Sequence, residues 1–220
     1  MNRLGMLWDS SVGKKAVMAV TGLVLVAYLV THVLANLLVF TGPDRINRYA
    51  ALLHGTGGAL WGARLVLLVA AILHIVAAVQ LALRSRAARP ERYAGGRETQ
   101  ASTLAARTIL WGGLLILAFL VYHILHFTTG TAHPDFVELN PYHNVATGFR
   151  NPWVAGVYLV AMIALTLHLY HGLWSSGRSL GVSQPSPQPF RRELALVLAG
   201  FIGLGFMVIV IAAALGRIAV

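Results

Sequence analysis

Nine histidines occur in 220 residues, and six of them, His32, His74, His123, His126, His168 and His171, lie inside long apolar runs. An ionisable side chain in such a run is expensive and reads as functional by default. No Asp or Glu lies in these runs, so the carboxylates that a proton relay or a cation transporter uses are missing. The chemistry on offer is that of imidazole, a metal ligand and hydrogen-bonding group.

The elements that must position these rings follow from hydropathy. Apolar residues make up 57% of the chain and charged ones 11%, with a mean hydropathy of +0.71, against about half and a quarter in a soluble domain. A span of ~20 apolar residues crosses the bilayer core, and five runs qualify: 16–40, 60–83, 108–127, 153–174 and 194–215. The expected fold is an all-α integral membrane protein of one transmembrane domain. Spans one to four would form an up-down four-helix bundle, with the fifth helix peripheral. Between the spans stand breakers such as Thr41-Gly42-Pro43-Asp44, Asn151-Pro152 and the Pro185, Pro187, Pro189 series. In the segment 44–58, Ile46, Tyr49, Ala50 and Leu53 recur at helical spacing, which predicts a short amphipathic helix on the outer surface.

The net charge is +10. Placing the N-terminus and the second and fourth loops on one side gives that side twelve of the seventeen Lys and Arg, so the positive-inside rule predicts a cytoplasmic N-terminus and an external C-terminus. Because the charges sit between apolar runs, they fit lipid headgroups and topology and not nucleic acid. The basic loop from Arg84 to Arg107 also suits docking of a soluble partner. Cysteine is absent, which excludes disulfides, iron–sulfur ligation and covalent haem attachment through Cys-x-x-Cys-His. The first apolar run is long enough to span and lacks a small-residue cleavage signal, which argues against a signal peptide.

Depth sorts the histidines. At a rise of ~1.5 Å per residue, His32 and His123 both lie ~23 Å from the inner boundary, and His74 and His168 ~9–14 Å from it. The outer and inner pairs are then roughly 10–14 Å apart, each pair joining helices that run in the same direction and face one another across a bundle diagonal. Two facing imidazoles are the axial ligand set of a low-spin b-type haem, which serves electron transfer because no coordination position is left for oxygen. Small residues beside them, Ala70, Ala71, Ala77 and Ala78 near His74 and Ala161, Ala164 and Gly172 near His168, would let a porphyrin approach. His126 and His171, each three residues further on, share nearly the same faces and are alternative ligands. Candidate cations for haem propionates are Arg84, Arg107 and Arg178 at the inner side and Arg45, Arg48, Arg64 and Arg150 at the outer side.

The chain resembles the cytochrome b membrane-anchor subunit of succinate:quinone oxidoreductase and fumarate reductase, in its single-polypeptide, five-helix, two-haem form. The resemblance runs over nearly the whole chain. It rests on Val12-Gly13-Lys14-Lys15 leading into Met18-x-x-Thr21-Gly22, on His32 with Asn36, on His74, on Tyr122-His123, and on His168-x-x-x-Gly172-x-Trp174-Ser175. It implies two haems b, with His32 and His123 ligating the outer, distal iron and His74 and His168 the inner, proximal one. It favours His123 over His126, since Tyr122 precedes it, and His168 over His171, from its place before Gly172.

It further implies a bacterial cytoplasmic membrane and cytoplasmic flavoprotein and iron–sulfur partner subunits. Succinate is oxidised on those partners, and electrons leave to a membrane quinone, menaquinone in most two-haem relatives; the complex can form higher oligomers. Related fumarate reducers use acids at the outer quinone site and on the fifth helix. Here span five has none and the outer loops only Asp44, Asp135 and Glu138, which puts a proton path through that helix in doubt. His54 is the candidate to bind or protonate quinone, with Trp61 and Arg64 lining the entrance. The rival expectations are a di-haem anchor of a hydrogenase or formate dehydrogenase, and a haem-free transporter or structural membrane protein.

Overall fold

The computed structural model describes residues 8–88, 104–182 and 189–219, and among these no strand occurs. The helices are α1 (Ser11–Leu37), α2 (Pro43–Gly55), α3 (Gly58–Ala87), α4 (Leu104–Phe127), α5 (Pro141–Gly148), α6 (Pro152–Ser179) and α7 (Pro189–Ala214). Five of them, α1, α3, α4, α6 and α7, are long and apolar enough to cross a membrane. Each overruns its expected apolar core at one end or both, because a helix continues into the headgroup layer where polar residues are solvated. The Pro185 and Pro187 breakers and most of the basic second loop lie outside the described residues.

Local chemistry sets the boundaries. The Ser10 hydroxyl caps α1, accepting from the Gly13 N–H at 2.9 Å. At its far end α1 tightens into a 3-10 turn, Leu38–Thr41, and stops at Gly42, whose φ of 100° suits a residue without a Cβ. Pro43, Pro141 and Pro152 each occupy the first turn of a helix, where the missing N–H costs nothing. Asn140 and Asn151 cap the last two of these. The Asn-Pro pair read as a breaker is thus the start signal of α6, and its twin at Asn140-Pro141 opens α5, a helix the sequence reading did not anticipate.

Viewed down the bundle, α1 packs on α3, α4 on α6, and α1 meets α6, while α3 and α4 do not pack closely on each other. The four spans thus form a ring closed on three sides. Helix α7 flanks α6 and α1 without such packing on α3 or α4. It is firmly bedded: a Cβ on Gly203 would collide with the Thr166 hydroxyl, and one on Gly205 would come within 2.6 Å of Val33. Small residues let backbones close up where lipid supplies no hydrophobic drive. The expectation of a peripheral fifth helix needs that amendment, because Ala199 and Ile202 are fully buried in the core they share with Val33, Ala161 and Leu165. Outward-facing side chains are large and apolar, with Trp111 71% and Val197 67% exposed, as a lipid solvent demands.

A second core, with Val39, Ile46, Val145, Phe149, Tyr158 and Ile209, sits at the face carrying α2 and α5, the loop face. Of the amphipathic stripe on α2 only Ile46 is fully buried, and Leu53 is exposed. Asn47 fastens α2 to the third connection, residues 128–151 between α4 and α6, donating to Asn140 Oδ1 at 2.9 Å and accepting from the Tyr142 N–H at 3.1 Å.

Candidate functional site

The structure brings the rings of His32 on α1 and His123 on α4 to a centroid separation of 6.0 Å, with planes at 86°. They lie towards the loop face. Asn36, one turn beyond His32, donates to the His32 carbonyl at 2.8 Å, and the same amide nitrogen lies 3.4 Å from His32 Nδ1. Tyr28 stacks on His32 from the turn before, and Phe206 of α7 approaches to 5.5 Å. On the other ring, Phe119 and Phe127 flank His123, and the Tyr158 hydroxyl of α6 stands 3.4 Å from its Nδ1.

The second pair, His74 on α3 and His168 on α6, has centroids 6.1 Å apart and planes at 63°. His74 Nδ1 is 3.0 Å from the carbonyl oxygen of Met18. A carbonyl only accepts, so Nδ1 carries the proton and Nε2 keeps its lone pair. This gives the motif Met18-x-x-Thr21-Gly22 a local reason. Met18 fixes the tautomer, Thr21 returns its hydroxyl to the Val17 carbonyl at 2.7 Å, and Gly22 makes room, since a Cβ there would lie 3.2 Å from His74 Cε1. Gly113 of α4 lies beside His168, where a Cβ would meet Cε1 at an ordinary contact distance of 3.7 Å. Neither glycine was singled out as a histidine neighbour from sequence.

Along α1 the two levels are ten residues apart, Gly22 to His32, and along α4 also ten, Gly113 to His123. Both helices therefore give ~15 Å between levels, slightly beyond the expected 10–14 Å. Beside His168 a cavity of ≈ 220 Å³ opens between α4 and α6, bounded by Thr108, Gly112, Leu115 and Ala164. Among the described residues three buried side-chain polar atoms have no partner: His168 Nδ1, His171 Nδ1 and Gln80 Oε1. All sit on α3 and α6 at or beyond the second pair, towards the end where α1 begins. Unmet groups of this kind mark a site that expects another polar group.

The remaining expected residues fall elsewhere. His126 is 1% exposed; it bonds Tyr158 and stacks on Tyr122 and His133. His171 touches Trp174. His54 is exposed and donates from Nδ1 to its own helix at Ala50, and Trp61 is exposed with Arg64 stacked on it at 4.9 Å. No hydrogen bond or ring contact joins His54 or Trp61 to His32 or His123 among the described residues. Arg84 binds the Asp9 carbonyl at 2.7 Å, Arg178 and Arg192 both stack on Trp174, and Arg107 lies in the first turn of α4, next in sequence to the cavity-wall residue Thr108. Sequence reasoning missed His133, Asn144 and Tyr158, whose partners come from distant segments that no periodicity connects.

The test of fit is metric. A metal–imidazole bond of about 2.0 Å plus ~1.1 Å from nitrogen to ring centre puts two trans imidazole centroids about 6.2 Å apart across one metal ion. Both observed separations, 6.0 and 6.1 Å, match this spacing. Among the described residues no three His, Cys, Asp or Glu converge; His32 meets His123 and His74 meets His168 by ring contact. Comparisons of the chain with family models, with curated proteins and with solved structures give no match.

Proposed function

We propose that this chain is the di-haem cytochrome b membrane anchor of a succinate:quinone oxidoreductase. The observation that carries the haem assignment is the pair of histidine separations, 6.0 and 6.1 Å, at two levels of one bundle. Two opposed imidazoles without a third protein ligand suit a metal that brings its own planar set of four nitrogens. When bound, haem b would supply reversible one-electron transfer.

The protein's part is to hold and orient. His32 and His123 grip the level near the loop face, His74 and His168 the other, and the Met18 carbonyl keeps His74 in its ligating tautomer. The packed apolar shell of Phe119, Phe127 and Phe206 keeps water from the loop-face rings. Arg107 and Arg178, at the end where α1 begins, are the cations for propionates there, with Arg84 nearby. By the charge distribution that end is cytoplasmic, where the flavoprotein and iron–sulfur subunits dock, and the loop face is external. Electrons from succinate would enter at the cytoplasmic pair, pass to the loop-face pair and leave to a quinone, menaquinone by resemblance, with His54 and Trp61 its candidate contacts.

The resemblance in motifs, and not the fold, selects succinate as the donor. A reduced-minus-oxidised spectrum of the membrane-bound complex tests it. Reduction of both haems by succinate is expected; reduction by hydrogen or formate alone assigns the chain to another dehydrogenase, and absence of a visible band makes it a haem-free membrane protein.

A further inference from the structure

We infer that Tyr158 is a positioning residue for the distal imidazole of His123, held in that role by His126 and by the third connection. The inference rests on the haem reading above. Tyr158 is 4% exposed, and its hydroxyl lies between two ring nitrogens, 3.0 Å from His126 Nδ1 and 3.4 Å from His123 Nδ1. A phenol has one proton to give. The arrangement that leaves His123 Nε2 bare for a metal has Tyr158 donating to His126 and accepting from the His123 Nδ1–H.

His126 is fixed in turn. It lies between Tyr122, stacked at 5.4 Å and 11°, and His133, stacked at 4.8 Å and 23°. His133 Nδ1 accepts from the Asp135 N–H at 3.2 Å and Nε2–H donates to the Asn144 carbonyl at 3.0 Å. The Asn144 side chain bonds both the N–H and the carbonyl of Val137. Gly148 admits the stack, because a Cβ there would lie 2.9 Å from His133 and 3.0 Å from His126.

The two levels therefore orient a ligand by different means. His74 uses a main-chain carbonyl, whereas His123 uses a side chain backed by a buried histidine and an ordered loop. An acceptor on Nδ1–H raises the basicity of the ligating nitrogen and favours the ferric state. Losing that acceptor raises the reduction potential of the loop-face haem and leaves the other where it was.

The test is a redox titration of the purified Tyr158→Phe complex, followed by optical and electron paramagnetic resonance spectra. A His32→Ala complex that retains only the other haem assigns the signals. The expected result is two haems per chain, an upward shift confined to the loop-face haem, and a moved g-tensor for that haem alone. His126→Gln, which keeps a hydrogen-bonding side chain but loses the ring, shifts the same haem in the same direction by less, and it carries the test should Tyr158→Phe lose haem. Two bound haems with unchanged potentials and spectra in Tyr158→Phe would overturn the inference, as would equal shifts of both. A wild-type complex without haem would overturn the function itself and is recognised before any variant is compared.

Discussion

At the scale of single residues, the proposed site depends on four imidazoles and on the small residues beside them. Of the two glycines beside the four imidazoles Gly22 is the closer: a Cβ there would lie 3.2 Å from His74 Cε1, and valine adds two methyl groups to it. Overpacking of this kind costs about 1–3 kcal/mol, so Gly22→Val should weaken haem retention roughly 5- to 150-fold at the His74–His168 level and spare the other level. Haem quantification after dilution of the purified protein reads this as a fall from two haems towards one. The four ligand candidates were legible from hydropathy and helical rise, because depth in a straight helix is a linear function of residue number. The choice of His123 over His126 came from resemblance, and Tyr158, thirty-five residues from the ring it touches, lay beyond any local pattern.

At the scale of elements, the bundle is held by close backbone packing and by capped, loop-fastened helix ends. Gly203→Leu would force α7 off Thr166 of α6 and should lower stability in detergent by about 1–3 kcal/mol, seen as an earlier thermal unfolding midpoint, with haem stoichiometry at low temperature unchanged. Asn47→Ala removes a donor and an acceptor that join α2 to the third connection. Leaving those partners unpaired should cost about 1–3 kcal/mol and increase proteolysis between Thr128 and Asn140 before the spans are cut. Apolar run lengths made the five spans legible, but their ends were not, since polar residues continue a helix into the headgroup layer. The bedding of α7 escaped notice because glycines in an apolar run read as lipid-facing or interfacial with equal ease.

At the scale of the whole molecule, orientation and stoichiometry are the claims that matter. Because the chain has no cysteine, a single introduced one reports its side without background. Glu138→Cys should react with an impermeant maleimide added outside intact cells, and Ser179→Cys only after permeabilisation; the reverse pattern would invert the electron route. The charge asymmetry that predicts this was plain in the sequence, whereas the ~15 Å spacing of the two levels emerged only once the opposing glycines were placed. Most direct of all is haem b quantification, by pyridine haemochrome absorbance per chain, on the purified protein and on its His32→Ala, His74→Ala, His123→Ala and His168→Ala variants. The account predicts two haems in the parent and one in each variant, with pairs sharing a spectrum: His32 with His123, His74 with His168. Two six-coordinate haems surviving every one of these substitutions, or none in the parent, would contradict it.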